Sequence, residues 1–305
     1  MSAPTSESST GSLVETRRIG RFTVHAIQAG GFKLDGGAMF GVVPKTLWER
    51  RIPADPRNRI QMGMRCLLVE HDVGPVLIDT GLGDKEDAKF LDIYGVENVG
   101  NGGATRLEDG LAQLGVRPAD VAMVINTHLH FDHAGGNTLA DGADGVRLAF
   151  PNARYVVQGG EWQWATHTNE RTGASYFTRN FVPVREAGRL DLIQGDREII
   201  AGIRALHTPG HTPHHQSILI DGTGERALFV GDLVPTVHHT PLPWIMGYDV
   251  EPLVTLETKR RVLREAEAER WLMILEHDAT VPWGRVGRDE KGNYALVPEG
   301  PGADG

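Results

Sequence analysis

The stretch THLHFDHAGGN, residues 127–137, constrains this chain more than any other feature of its sequence. It follows VAMVINT, residues 121–127, a short continuous apolar run that is typical of a strand buried on both faces. A loop at the end of a buried strand is a usual place for functional residues. Two glycines close the stretch, so the backbone can turn near whatever the loop binds. The stretch contains three histidines and one aspartate: His128, His130, Asp132 and His133.

The spacing of these four side chains favours metal binding. In a locally extended segment, residues two apart project to the same side, so His128 and His130 can reach one point. Asp132 and His133 lie one turn further along and can reach a second point nearby. Imidazole and carboxylate groups suit zinc, although manganese, iron or cobalt can occupy the same kind of shell. We interpret the cluster as part of a site for two metal ions.

Two metal ions need more ligands than this loop offers, and other predicted strands supply them at their ends. His211 follows the strand IRALHT in a turn rich in proline and glycine. Asp232 ends the strand RALFVGD, and His277 ends the strand WLMILEHD. Four separate strand ends therefore deliver histidine or aspartate.

This order of motifs resembles the metallo-β-lactamase superfamily over most of residues 20–280. The resemblance implies an α/β fold in which two mixed β-sheets are flanked by helices, an αβ/βα sandwich of four layers. It also implies two Zn²⁺ ions with a bridging hydroxide, the first ion held by His128, His130 and His211. The second ion would be held by Asp132, His133 and His277, with Asp232 bridging both ions. Asp132 and Asp232 would then be the catalytic carboxylates.

Two other residues are candidates to hold these ligands in place. The resemblance implies that Asp79, in the segment DTG, orients a ligand from behind, which metal sites generally require. His215 flanks His211 and could orient it. Members of the superfamily that perform di-iron redox chemistry usually have glutamate at position 130, so the histidine there favours hydrolysis.

The charge of the predicted site also indicates a hydrolase. Two dications carry about four positive charges, of which two aspartates and a hydroxide remove about three. The remaining positive field would polarise a carbonyl or phosphoryl oxygen. The resemblance narrows the reaction further, because Asp232 stands where the β-lactam branch has cysteine or serine. THLHFDHAGGN, HTPGHTPHHQS and EHD look like the N-acyl-homoserine lactonases, which implies that the lactone ring is opened by the bridging hydroxide.

An acyl chain would need an apolar groove, and two segments offer residues for it. The segment LDGGAMFGVVPKTLWERR is predicted to be a glycine-rich loop with exposed aromatic residues, and DLVPTVHHTPLPWIMGYD follows the bridging aspartate. Many of these lactonases have tyrosine three residues after that aspartate, but this chain has Pro235, and Tyr248 is the candidate to replace it. The predicted pocket residues are Met39, Phe40, Trp48, His238, Trp244, Ile245 and Tyr248.

Composition excludes several other functions. The chain has 305 residues, a net charge of -9 and no long basic run, so we expect no binding to nucleic acid or to a membrane. Its single cysteine excludes an intramolecular disulfide. No stretch has the length of a membrane span and the N-terminus does not resemble a secretory signal, so a cytoplasmic location is expected. The expected partners are a small lactone or ester and, from the resemblance, a second copy in a homodimer.

We find no convincing linker between the two halves, which predicts one domain. We expect a disordered lead-in at residues 1–17, one hydrolase domain at residues 18–290 and a C-terminal tail at residues 291–305. Two alternatives to the lactonase stay open. One is a related dinuclear hydrolase of phosphotriesters or aryl esters, and the other is a catalytically silent metal-binding module.

Overall fold

A computed structural model describes residues 12–143 and 145–300 of the chain. Two seven-stranded sheets form its centre. The first has the order β1-β2-β3-β4-β5-β8-β9, with strands Val14–Ile19, Phe22–Asp35, Arg59–Val69, Val76–Ile78, Met123–Ile125, Arg154–Gln158 and Leu190–Ile193. The second has the order β10 to β16, with strands Arg197–Ile200, Ile203–His207, Gln216–Asp221, Arg226–Phe229, Leu272–Ile274, Trp283–Arg288 and Tyr294–Pro298. A small hairpin pairs β6, Thr138–Asp141, with β7, Gly145–Leu148.

Both large sheets are mixed, since parallel pairs lie between antiparallel ones. In the first sheet β4, β5, β8 and β9 run parallel, and in the second sheet β13 and β14 run parallel. The helices of the described residues are α1 to α8 in chain order, at Gly36–Phe40, Lys45–Trp48, Ala88–Tyr94, Arg106–Gln113, Phe131–Ala134, Gly159–Thr166, Val182–Glu186 and Pro252–Ala268. None of the described helices has the length and apolar character to cross a membrane.

Three hydrophobic clusters show why these layers form. Along β5, Met123 and Ile125 face the cluster between the two sheets, whereas Val124 faces the helices. Alternate side chains of a strand point to opposite faces, so a strand covered on both sides is apolar throughout. Leu111 of α4 covers the outer face of the first sheet, and Leu263 of α8 covers that of the second. The predicted four-layer sandwich is confirmed.

The glycine-rich segment differs from its prediction. Instead of a loop it forms the short helices α1 and α2, and the Asp35 side chain accepts a hydrogen bond from the Ala38 N–H at the start of α1. Trp48 packs directly against Gly36, where an added Cβ would lie 2.3 Å from the indole ring. Glycine permits that close approach. The indole is therefore buried instead of exposed.

The predicted boundaries of the domain also differ from the structure. β1 begins at Val14, inside the predicted lead-in, and pairs with β2. β16 lies inside the predicted C-terminal tail, yet it pairs with β15 along its whole length, and its Tyr294 and Leu296 are buried. The pairing of β15 with β16 extends the second sheet by one strand, so the prediction of a C-terminal tail is wrong for residues 294–298. Residues 1–11 and 301–305 lie outside the described residues.

Candidate metal centre

The candidate ligands lie at the ends of strands from both sheets. β13 and β14 pair in parallel, so their carboxyl ends lie side by side. Each strand is followed, three residues after its end, by a candidate ligand: Asp232 after β13 and His277 after β14. In the first sheet, the loop after β5 and the helix α5 carry the ligands of residues 128–133. His211 lies in the turn between β11 and β12. The topology thus brings together residues that are far apart in sequence.

Four side chains form a first group whose ligand atoms all lie within 4.8 Å of one another: His128, His130, His211 and Asp232. Nδ1 of His130 is 3.0 Å from Nε2 of His128 and 3.1 Å from Nε2 of His211. Oδ2 of Asp232 is 3.0 Å from Nε2 of His211 and 3.9 Å from Nε2 of His128. Ligand atoms around a tetrahedral zinc ion are separated by about 3.4 Å, so these distances suit one ion.

Asp132, His133 and His277 form a second group beside the first. Nε2 of His133 and Nε2 of His277 are 3.1 Å apart, and Oδ2 of Asp132 lies 3.8 Å and 3.6 Å from them. Asp232 reaches this group as well, because its Oδ1 is 3.0 Å from Nε2 of His277. Its Oδ2 is 3.0 Å from Nε2 of His211 in the first group and 3.5 Å from Nε2 of His133 in the second. Asp232 is therefore positioned between the two groups, as a bridging ligand must be.

The unpaired oxygen of Asp232 tests whether these residues fit metal ions. Oδ1 is buried and accepts no hydrogen bond from the described residues, although Nε2 of His277 is close. Burying an ionised carboxylate costs several kcal/mol unless hydrogen bonds or a cation compensate its charge. The surrounding donors are imidazole nitrogens and carboxylate oxygens, the set that zinc and its neighbours use. The residues therefore fit two divalent transition-metal ions.

Asp79 holds two of the histidines in place from behind. Its Oδ2 accepts hydrogen bonds from the Thr127 hydroxyl at 2.6 Å and from Nδ1 of His133 at 3.1 Å. Thr127 in turn contacts Nδ1 of His128 at 3.1 Å. These bonds direct Nε2 of both rings towards the centre. Asp79 adopts a left-handed conformation, with φ at 53°, which is unusual for a residue other than glycine and is a form of strain found at functional sites.

Two more histidines have partners that sequence reasoning missed. Nδ1 of His211 donates to Oδ1 of Asp249 at 2.9 Å, and Nδ1 of His277 donates to the Gly63 carbonyl at 2.8 Å. Asp249 is buried in the loop before α8, 38 residues from its histidine. Nothing in the local sequence signals this pairing. A backbone carbonyl such as that of Gly63 carries no sequence signal at all.

His215 contacts a ligand, but a different one from the ligand that was expected. Its Nε2 accepts the backbone N–H of Asp232 at 3.1 Å, and its Nδ1 contacts the Thr208 hydroxyl at 2.8 Å. The sequence predicted that His215 would orient its neighbour His211. The correction follows from β12, which begins directly after His215 and turns this side chain towards the end of β13.

Burial and charge together set the protonation of the centre. Burial lowers the pKa values of His128 and His130 well below their usual range, which favours the neutral imidazole that binds metal. Burial opposes ionisation of Asp232, but the nearby His277, His211 and His133 hold its pKa well below the usual range. Glu276 lies behind the second group, with Oε1 3.0 Å from Nδ1 of His133, and burial raises its pKa to about 8.

Comparison with known proteins places this site in a family. The model of the metallo-beta-lactamase superfamily matches residues 65–280, a range that holds all seven candidate ligands. The chain belongs to the metallo-beta-lactamase superfamily. Among curated members, it is 33% identical to an N-acyl homoserine lactonase of Bacillus sp. over 173 residues, 54% of this chain and 61% of that lactonase. It is 30% identical to the N-acyl homoserine lactonase AttM of Rhizobium radiobacter, over 63% of this chain and 67% of AttM.

Two solved structures superpose on nearly the whole chain. A probable metal-dependent hydrolase from Staphylococcus aureus superposes with a TM-score of 0.82 at 30% identity, covering 93% of this chain and 99% of that one. AidC, described as a dizinc quorum-quenching lactonase, superposes with a TM-score of 0.77 at 19% identity, covering 95% and 99%. At that identity, the likeness to AidC supports the fold alone.

The candidate metal centre lines a cavity of about 370 Å³. Five candidate ligands contribute to this lining: His130, Asp132, His211, Asp232 and His277. Most of the wall is apolar or aromatic, and it is formed by Leu34, Ala38, Met39, Tyr94, Phe131, Ala174, Met246, Gly247, Tyr248 and Val250. Arg171, Thr172 and Ser175 add polar groups on one side. The volume suits a small organic molecule with an apolar part.

Only two of the seven predicted pocket residues, Met39 and Tyr248, line this cavity. Phe40 and Trp48 stack on each other in the core with ring centroids 5.4 Å apart, and both are buried. Phe40 turns away because its ring also stacks on His239 and packs against Trp244. The prediction that these aromatic residues form the groove is therefore wrong. The same holds for His238, Trp244 and Ile245, none of which lines the cavity.

Proposed function

We propose that this protein is an N-acyl-homoserine lactonase that uses two metal ions. The chain is a metallo-hydrolase that acts on ester bonds, and the lactone is the substrate that we propose for it. The observation that carries the proposal is Asp232, whose carboxylate lies between two groups of ligands that line a mostly apolar cavity. The similarity to the curated lactonases supports the choice of a lactone.

The residues of the cavity divide the work of ester hydrolysis. Two divalent cations held by these ligands would supply Lewis-acid polarisation of the ester carbonyl and hydroxide at neutral pH. The seven ligands hold the cations, and Asp79 and Asp249 hold three of the histidine rings in register. Ring opening leaves an alkoxide, and the proton it needs would come from the hydroxide that becomes part of the new carboxyl group. Asp132 and Asp232 are the carboxylates that face the cavity, so one of them would accept this proton and pass it to the alkoxide. Leu34, Met39 and Met246 offer an apolar surface to an acyl chain.

A substrate panel tests the lactone assignment. We expect metal-replete protein to hydrolyse N-acyl-homoserine lactones, with kcat/KM rising as the acyl chain lengthens. Each buried methylene contributes up to about 0.8 kcal/mol, or about fourfold in kcat/KM, until the chain leaves the cavity. Initial rates on a series from four to twelve acyl carbons, about the range that the cavity can discriminate, measure this. Efficient turnover of paraoxon without turnover of long-chain lactones would replace the proposal with the phosphotriester alternative.

Tyr248 is the second part of the proposal, because Pro235 cannot supply a hydroxyl. Tyr248 lines the cavity and is 37% exposed, so part of this residue is accessible to a ligand. Burial of the remainder raises its pKa, which keeps the phenol protonated and able to donate at neutral pH. Pro235 instead uses its backbone carbonyl to accept the N–H of His277. We propose that Tyr248 donates to the substrate carbonyl.

The variant Tyr248→Phe isolates that hydroxyl. We expect kcat for lactones to fall about tenfold, because one hydrogen bond to a developing charge is lost while the ring remains. The melting temperature and the metal content should not change. Tyr155→Phe is the matched control, since Tyr155 is a fully buried tyrosine that bonds to backbone groups away from the cavity. An unchanged kcat in Tyr248→Phe contradicts the assignment.

A further inference from the structure

Glu161 is a buried carboxylate that lies outside both ligand groups and outside the cavity. It stands in α6, and none of its surface is exposed. Its Oε1 accepts hydrogen bonds from the Leu129 N–H at 3.1 Å and from the Tyr176 hydroxyl at 2.9 Å. Its Oε2 accepts the Thr212 hydroxyl at 2.7 Å. Burial of a carboxylate is costly, so a chain keeps one only where such bonds satisfy it.

The three donors lie in the segments that carry the first group of ligands. Leu129 stands between His128 and His130, so its backbone N–H fixes the loop that presents both rings. Thr212 directly follows His211. The bond to Thr212 spans 51 residues of sequence, so it ties the turn between β11 and β12 to α6.

Tyr176 extends this arrangement to the ring of His130. The tyrosine ring packs edge-on against the imidazole, with centroids 4.6 Å apart. The Tyr176 hydroxyl donates to Glu161, so the carboxylate also fixes the position of the aromatic ring that packs against His130. Nδ1 of His130 faces the two other histidines of the group. The contact with the Tyr176 ring therefore helps to keep the imidazole in the orientation that directs Nδ1 to the candidate metal position.

The second group has no such connection to Glu161. His133 is held by Asp79, and His277 is held by the Gly63 carbonyl. Asp232 receives its backbone hydrogen bond from His215. The contacts of Glu161 are therefore confined to segments of one ligand group, and its effect should be confined in the same way.

We propose that Glu161 is a positioning residue for the first metal ion, which it serves by joining three segments that present or support His128, His130 and His211. The inference rests on the two-metal site of the proposed function, but not on the identity of the substrate. Partners of this kind, one contact behind the ligands, change metal affinity by about 10-fold to 100-fold in other metal sites.

The test measures metal affinity in place of turnover. Metal-free wild type, Glu161→Gln and Glu161→Ala are titrated with Co²⁺, whose absorption spectrum reports the geometry of each ion. Wild type should bind two equivalents. In Glu161→Gln one equivalent should bind about tenfold more weakly with an altered spectrum, while the other stays unchanged. Thr212→Val and Tyr176→Phe each remove one of the hydrogen bonds to Glu161. Each should weaken the binding of the same Co²⁺ equivalent by a smaller factor.

Thr105→Ala serves as the control, because it removes the side-chain cap of α4, which packs on the outer face of the first sheet away from the ligand segments. It should lower the melting temperature while both equivalents keep wild-type affinity. Wild-type protein that binds fewer than two equivalents would overturn the two-metal site itself. Wild-type behaviour of both equivalents in Glu161→Gln, or equal weakening of both, would overturn the role of Glu161. If Glu161→Ala does not fold, the affinities of Thr212→Val and Tyr176→Phe for Co²⁺ decide between these results.

Discussion

Replacing Asp232 with alanine is expected to abolish hydrolysis and to empty the metal centre. Its carboxylate lies between the two ligand groups, so its loss weakens both sites at once. Lewis-acid stabilisation by a bound metal is worth several kcal/mol, and each 1.4 kcal/mol is tenfold in rate. We therefore expect kcat/KM to fall by about three orders of magnitude or more. Elemental analysis of the purified variant should find little metal.

The comparison for this variant is His167→Ala. His167 is exposed, and its Nδ1 lies near the carbonyl of Gln163 in its own helix, far from any ligand. This substitution should change the free energy of unfolding by no more than about 0.5 kcal/mol and leave activity intact. An Asp232→Ala protein with near-native turnover would mean that Asp232 is not a ligand.

Removing the metal from the native chain should have the second largest effect. Gently purified protein is expected to contain about two transition-metal ions per chain, as seven ligands in two groups imply. Chelation should abolish activity, and zinc should restore it. Metal at about 1,000 times its dissociation constant stabilises the folded state by about 4 kcal/mol per site, so the melting temperature should fall by several degrees on chelation.

The Asp232→Ala variant provides the control for this experiment. Because it lacks the bridge, its melting temperature should respond little to chelator or to added zinc. If chelation changes neither the activity nor the melting temperature of the native chain, the assignment of these residues as metal ligands is wrong. If the chain holds only one ion and is fully active, the two-ion site must be replaced by a single-ion site.

The ligand set could be predicted from sequence because its signal is local. The ligands lie in segments that follow four apolar strands, and four of them share one six-residue stretch. The strands are apolar because both of their faces are covered, as the alternation of Met123, Val124 and Ile125 shows. The same pattern predicts sheets covered by helices, and the resemblance to the metallo-β-lactamase superfamily implies their arrangement in four layers.

The pocket could not be predicted in the same way. Phe40 and Trp48 look like groove residues in sequence, since they lie in a segment rich in glycine. Glycine in that segment instead lets the indole approach the backbone at Gly36, and the two rings bury each other. Whether an aromatic ring lines a cavity or fills a core depends on its neighbours in space, and those neighbours come from residues 239–244.

The sequence by itself determined the fold class, the seven candidate ligands and the order in which they occur. Hydrophobic periodicity and a dense histidine motif are properties of short segments, so they can be read without knowing what packs against them. Only the tertiary structure decided which residues besides Asp79 hold those ligands. Asp249 and Glu161 stand 38 and 51 residues from their partners His211 and Thr212. A buried carboxylate becomes a partner only when folding brings a donor to it, and that distance is set by the packing of the layers.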